Sequence, residues 1–343
     1  MRINIPVNKY QFFSRLDRLY IKFRQTIDLV WMPYEALHDM VSFVMNCRLS
    51  PFIPSYKKDT YDLIFYAHTI EKGLSLPQPR PHFGRNNISR VMYLLRRCDP
   101  LMVNPAAVKM ALGNLQQYIE FHRKKGLESL FLNELNEELL KIVTRFDINP
   151  DGGTRNVLLD MKKIAERSHT YAAFLSSRFS CRNFSNAPVL ASLLKEVVVT
   201  AQNAPSQCNR QSTRIHAYLD KEMIARLLEC QGGSSGFAAA VPAVLVVTSD
   251  VAAWTSRAER QQAYVDAGLF GMALLYSSHA YGLGSCCLNF AKTNFQEKIF
   301  KKIANISTSE RVVMLVAIGY LDDENPLATR STRFQVETVL KLH

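Results

Sequence analysis

Residues 204–212 read APSQCNRQS. The stretch lies between a segment of helical periodicity and a run rich in β-branched residues. Clusters of Pro, Ser and Asn mark turns, so a plain loop is one reading. A loop whose polar side chains hold a ligand is the other. The surrounding sequence decides between them.

Downstream, four β-like runs follow: TRIHAYL (213–219), PAVLVVTS (242–249), GSCCLNF (284–290) and RVVMLVAIG (311–319). Helical segments at 221–230, about 257–281 and 294–304 separate them, and helices at 157–177 and 188–203 precede them. This texture predicts an α+β fold with one mixed sheet flanked by helices. The first half has a different texture. Residues 1–45 read as amphipathic helix interrupted near Pro33, and 50–60 as a Pro-containing connector. A helix at 59–71 leads into the Pro-rich loop GLSLPQPRPHFG (73–84), and helical periodicity resumes at 87–98, 104–125 and 127–146. DINPDGGTRN (147–156) is the strongest breaker cluster. The expected division is a mainly helical region at 1–150 and a second domain at 151–343.

The chain of 343 residues is 48% hydrophobic, enough to bury a sizeable core. Its net charge is +12, with 24 Lys and Arg against 16 Asp and Glu in residues 1–165. That excess reads as a basic surface, and it also suits peripheral contact with an anionic membrane surface. Neither zinc-finger spacing nor an RNP-like motif is present, so nucleic acid is not an expected partner. The seven cysteines follow no framework spacing, which points to reduced thiols and a cytoplasmic location. No signal-peptide pattern is visible. The apolar stretch LVWMPYEALHDMVSFVM is broken by Pro33, Glu35, His38 and Asp39, so a membrane span is not expected there.

Several stretches can carry chemistry. In SSRFSCRNF (176–184), Arg178, Ser180 and Arg182 alternate, so an extended backbone points them one way. They form either an anion site, which guanidinium forks suit, or a polar surface ladder. GLGS (282–285) is either a close backbone approach to a flat ligand or a helix cap with its turn. TRSTRF (329–334) adds Arg330 and Arg333, in a site or in a basic tail. His68, Glu71 and Lys72 share one helix face. They line a site with Arg80, His82 and Arg85, or they form a salt-bridged helix end. Trp254 and Tyr264 are either a pocket lid or helix-packing aromatics. No second ligand pair stands out, so no metal is expected.

Taken in order, these blocks resemble the flavin-dependent nitroreductase family. Arg178, Ser180, Arg182 and Phe184 match R-x-S-x-R/K-x-F. Ala204, Pro205, Ser206, Asn209 and Gln211 match A-P-S-x-x-N-x-Q, and residues 242–247 match the strand that follows. Asp266, Gly268, Ala280, Gly282, Leu283 and Gly284 match the D-x-G helix and its A-x-G-L-G end. Ala317, Gly319, Tyr320 and Arg333 match the C-terminal block. The resemblance covers roughly 165–343. It departs after Gln211, where the family's Pro-Trp pair is Ser212-Thr213.

The resemblance implies a homodimer with FMN at its interface, reduced by NADH or NADPH. A small electron-poor molecule then accepts the electrons in a ping-pong hydride mechanism. It implies Arg178 and Arg333 on the phosphate, with Arg330 as the substitute for Arg333, and Ser180 donating a hydrogen bond. Arg182 lies near the N1–O2 edge and tunes the ring. Pro205, Ser206, Asn209 and Gln211 border the flavin, and backbone groups of Gly282, Leu283, Gly284 and Ser285 face N5 and O4. Transfer at N5 requires no catalytic side chain. The alternative is a flavin-binding or interaction protein without turnover, its flavin covered by the N-terminal region. The flavin half lacks a long insertion after strand 242–249. The Pro-rich loop at 73–84 is therefore the expected cover of the ring.

Overall fold

The computed structural model describes residues 7–155, 167–324, 328, 329, 331, 333 and 335–343. The first part of the helix expected at 157–177, and Arg330, lie outside the described residues.

Strand β2 (Ala243–Asp250) is buried along its whole length. Ala243, Leu245 and Val247 enter one core, while Val244 and Val246 enter the core on the opposite face. Strand β4 (Glu310–Gly319) divides in the same way, Val316 and Ile318 against Leu315 and Ala317. Such runs are apolar on both sides because the sheet is covered on both sides. Helices α7 (Ala191–Ala201) and α9 (Gln262–Ala280) supply Leu194, Val197, Ala267 and Leu274 to one face. Helices α8 (Lys221–Gln231) and α10 (Asn294–Ala304) supply Ile224, Leu227 and Phe300 to the other.

With β1 (Thr213–Tyr218) and β3 (Gly284–Asn289), the strand order is β1-β2-β4-β3, and every ladder is antiparallel. The mixed character expected of the sheet is confined to one parallel bridge, Ser180 to Ser285. The segment after α6 (Ser168–Ser177) runs along the edge strand β3 there, and the Cys181 N–H donates to the Ser285 carbonyl at 2.9 Å. This short contact covers an otherwise open sheet edge.

In the first half, α2 (Ser55–Leu74), α3 (Arg85–Arg97), α4 (Pro105–Lys124) and α5 (Leu130–Phe146) enclose one core running from Leu63 to Phe146. Helix α4 starts with Pro105 after an Asn104 cap, whose side chain accepts from the Ala106 N–H at 2.9 Å. Helix α1 (Val7–Asn46) is continuous through Pro33, contrary to the expected interruption. Proline removes one hydrogen bond, and the exposed turn before it leaves the freed carbonyl open to solvent. Among the described residues, no helix is long and apolar enough to cross a membrane.

The breaker cluster at 147–156 folds back on α4. The Asp151 N–H donates to the Lys109 carbonyl at 3.1 Å and the Gly153 N–H to Asn114 Oδ1 at 2.5 Å. Gly113 and Gly152 approach so closely that a Cβ on either has no room. A further cluster, Cys47, Ile53, Tyr61, Val251–Trp254 and Ala263, joins the two halves. Around it Lys57 Nζ pairs with Asp250 at 2.9 Å, and the Tyr61 hydroxyl donates to the same carboxylate at 3.1 Å. Arg214 in turn donates to the Tyr61 oxygen at 3.0 Å.

Candidate functional site

Apart from Arg333, the described candidate site residues gather in two places, at opposite ends of α9. At the C-terminal end, the extended backbone after α6 and its bridge to β3 bring Arg178, Ser180 and Arg182 beside Gly284 and Ser285. The Ser177 hydroxyl lies 2.7 Å from His279 Nε2, near the end of α9. Burial and the neighbouring Arg178 charge hold His279 below the usual imidazole value. Burial pushes the Cys286 thiol up, while Arg182 and Arg178 both oppose it. Both guanidiniums therefore act on one sulfur, and among the described residues neither is paired with a carboxylate.

The surroundings fit an anionic, flat ligand such as FMN. Ser285 is 2% exposed, and its hydroxyl has no hydrogen-bond partner among the described residues. An orphaned buried hydroxyl is costly unless something else satisfies it. Gly282 has φ 74° with open space where a Cβ would stand, so backbone at this turn is accessible. Gly284 is required for a different reason: a Cβ there would lie 2.7 Å from Cys181 Sγ. Leu283, also expected at the ring, is a buried core residue, so only its backbone can serve. Arg333 is not brought to this cluster. It is exposed and donates to the Ser331 carbonyl, and no contact ties it to Arg178, Ser180 or Arg182.

At the N-terminal end of α9, the 204–211 loop is held by Asp266. The Gln207 N–H donates to Asp266 Oδ2 at 3.1 Å, and Gln262 donates to Oδ1 at 2.7 Å. Burial raises the Asp266 carboxyl above its ordinary value. The loop is tightly wound: Cys208, Asn209 and Gln211 all have φ between 50° and 52°. Left-handed backbone at non-glycine residues costs about 1–3 kcal/mol each outside Asn-like cases, and it concentrates at functional sites. The Ser206 hydroxyl accepts the Gln211 N–H at 3.0 Å and closes the turn.

Asp266 and His279 are thirteen positions apart on one helix, roughly 20 Å along its axis. In one chain the 204–211 loop is thus remote from the Arg178 cluster. Pro205, Ser206, Asn209 and Gln211 instead line a cavity of about 550 Å³ whose opposite wall is N-terminal: Tyr61, Ile64 and Glu71 of α2, Met110 of α4, and Gly152. The Asn209 amide donates to Met110 Sδ at 3.4 Å. No residue of the Pro-rich loop lines this cavity. That loop leads instead toward α4, where the Phe83 carbonyl accepts from the Tyr118 hydroxyl at 2.9 Å. Of the group at 68–85, Glu71 alone reaches the cavity, held by His68 at 2.7 Å and Asn114 at 3.3 Å.

Sequence reasoning missed Arg210. It is 2% exposed, pairs with Glu259 at 2.8 Å, and lies between the rings of Phe65 and Trp254 at 5.1 and 5.2 Å from their centroids. Trp254 is therefore a core residue and not a lid. Tyr264 lies in a separate groove beside α1. The missing Pro-Trp pair is replaced by Ser212, buried and bonded to Ser249 at 2.9 Å. An arginine between two polar loop residues gave no signal of burial.

Residues 175–320 match the model of the Nitroreductase family, so this segment is a nitroreductase-family domain, while no family model covers the helical N-terminal region. No curated protein matches the chain. Among solved structures, an FMN-dependent nitroreductase from Clostridium difficile is 21% identical, covering 48% of this chain and 98% of its own, with TM-score 0.40. A nitroreductase-like protein from Streptococcus mutans is 21% identical, with coverages of 51% and 98% and TM-score 0.44. A nitroreductase family protein from Streptococcus pneumoniae is 17% identical, with coverages of 50% and 100% and TM-score 0.43.

Proposed function

We propose that the protein is an FMN-dependent oxidoreductase that takes electrons from NADH or NADPH and passes them to a small electron-poor acceptor in two separate half-reactions. The observation that carries this reading is the meeting of Arg178, Ser180 and Arg182 with the unpartnered, buried Ser285 hydroxyl. FMN, when bound, supplies the two-electron redox chemistry. The chain's part is to bind and orient. Arg178 and Ser180 hold the phosphate, with Arg333 or Arg330 as a further cation. Arg182 places a positive charge at the electron-rich edge of the ring, and backbone groups of Gly282–Ser285 approach its face.

We propose that the working form is a homodimer, in which the partner copy brings its 204–211 loop to this cluster. The roughly 20 Å between the two ends of α9 supports this, because one chain does not join them. Exposed apolar residues support it too: Val265, Leu269 and Met272 on α9, and Leu29, Val30 and Trp31 on α1. The separate cores support a helical domain at 1–150 and a flavin domain at 151–343. Seven unpaired cysteines support a reducing, cytoplasmic location. The basic first half keeps peripheral contact with an anionic membrane surface as a proposal, with no role for nucleic acid.

A second reading, flavin binding without turnover, is favoured by the N-terminal helices that wall the 204–211 loop. Initial rates decide between the two. Varying nicotinamide and a nitroaromatic or quinone acceptor should give parallel double-reciprocal lines. Nicotinamide oxidation no faster than with free FMN would overturn the oxidoreductase reading and favour the second.

A further inference from the structure

The cavity between the N-terminal helices and the 204–211 loop is not needed to hold a phosphate, yet it is walled by both halves of the chain. We infer that it is the acceptor pocket and that it admits uncharged or cationic acceptors while rejecting anionic ones; this rests on the oxidoreductase reading above.

Its position follows from its floor. Ser206, Asn209 and Gln211 form that floor, and by the family resemblance they border the flavin. The opposite wall comes from α2, α4 and Gly152, outside the matched family segment. A substrate lying there contacts the N-terminal region and the flavin loop together.

Its selectivity follows from its charges. Glu71, Asp266 and Asp151, the last paired with Lys109 at 3.5 Å, place three carboxylates on its walls, against the guanidiniums of Arg210 and Arg214. Both guanidiniums are already engaged. Arg210 pairs with Glu259 at 2.8 Å and donates to the Ala253 carbonyl at 3.2 Å. Arg214 donates to the carbonyls of Gln211 and Thr213 and to the Tyr61 oxygen. Among the described residues, an entering anion thus meets carboxylates and no guanidinium without a partner of its own, a repulsion that desolvation strengthens. Glu71 is rigidly presented. Asn114, which donates to it, is fully buried, donates also to the Ala67 carbonyl at 2.8 Å, and accepts the Gly153 N–H. Such a frame keeps the carboxylate from turning away from a ligand.

The rest of the lining suits an aromatic ligand. Ile64, Ala107, Met110 and Phe270 supply apolar wall for a ring.

The probes are 4-nitrobenzamide and 4-nitrobenzoate, which share a ring and a nitro group and differ in one charge. Their binding to full-length, FMN-loaded, oxidised protein is measured by ligand-observed NMR without reductant. The amide should bind at least roughly ten-fold more tightly, about 1.4 kcal/mol. Glu71→Gln should narrow the gap by improving the benzoate. Benzoate binding as tight as the amide in the unaltered protein would overturn the inference. Should Glu71→Gln fail to fold, Met110→Trp fills the same space. Loss of amide binding there supports the location, and retention at full affinity overturns it. Failure of nicotinamide to bleach the flavin would count against the oxidoreductase reading alone, because probe binding is read without turnover.

Discussion

The Arg210 guanidinium lies 5.1 Å from the ring centroid of Phe65, a residue of α2, and this contact fastens the 204–211 loop to the N-terminal helices. Trp254 flanks it on the other side, and Glu259 neutralises it. Glu259 also accepts from the N–H groups of Thr255 and Ser256, at 2.9 and 3.0 Å. One buried ion pair thus ties together the loop, the turn after β2 and α2.

Arg210→Ala leaves the mostly covered Glu259 without its cation and should cost about 3–5 kcal/mol of unfolding free energy. Arg210→Lys keeps the charge but loses the planar stacking, so it should restore only part of the stability. Urea unfolding of the three proteins measures this. A change within about 0.5 kcal/mol for Arg210→Ala, the range of an ordinary surface substitution, would show that the pair does not join the halves.

The same pair sets an acid limit. Burial pushes the Glu259 carboxyl up, but donors from Ser256, Thr255 and Arg210 together outweigh it and hold it below its ordinary 4.5. A carboxylate depressed in the folded state stabilises fully above its unfolded value, and that stability is lost as pH falls through the folded value. Melting temperature should therefore drop below pH 4.5 more steeply in the unaltered protein than in Glu259→Gln. Parallel profiles would remove Glu259 from the acid response.

Much of this arrangement was legible in the sequence, and the reasons differ by region. The strands could be read because β2 and β4 are apolar on both faces, as a doubly covered sheet demands. Alternation in an extended segment gave Arg178, Ser180 and Arg182 a common direction, and the segment does run along β3 at Ser180; their role toward a flavin stays a proposal. The cavity wall could not be read. Tyr61, Glu71 and Met110 lie on helices whose periodicity reports which face is buried, not which loop packs against it. Proline content made the 73–84 loop conspicuous, yet composition carries no information about which way a loop folds.

Arg178→Ala should weaken FMN by roughly ten- to a hundred-fold, because one charge-assisted fork is worth about 1.5–3 kcal/mol. Quenching of FMN fluorescence on titration with protein gives the affinity. An unchanged value would remove Arg178 from the phosphate site.

Leu269 is 46% exposed on α9, so a charge there is tolerated by one chain and opposed by an apolar interface. Leu269→Glu should yield a folded monomer with sharply weakened FMN binding, because the partner's 204–211 loop is lost. Light scattering after gel filtration gives the mass, and the flavin absorbance of the same peak gives the occupancy. A monomer that binds FMN as the unaltered protein does would show that the site is complete in one chain.

The most direct measurement is an anaerobic titration of the full-length protein, first incubated with FMN and freed of excess, with NADH or NADPH under visible absorbance. The account predicts a yellow protein carrying one FMN per chain, bleached by the nicotinamide and recoloured by an electron-poor acceptor. A protein that stays colourless after incubation with FMN would contradict it.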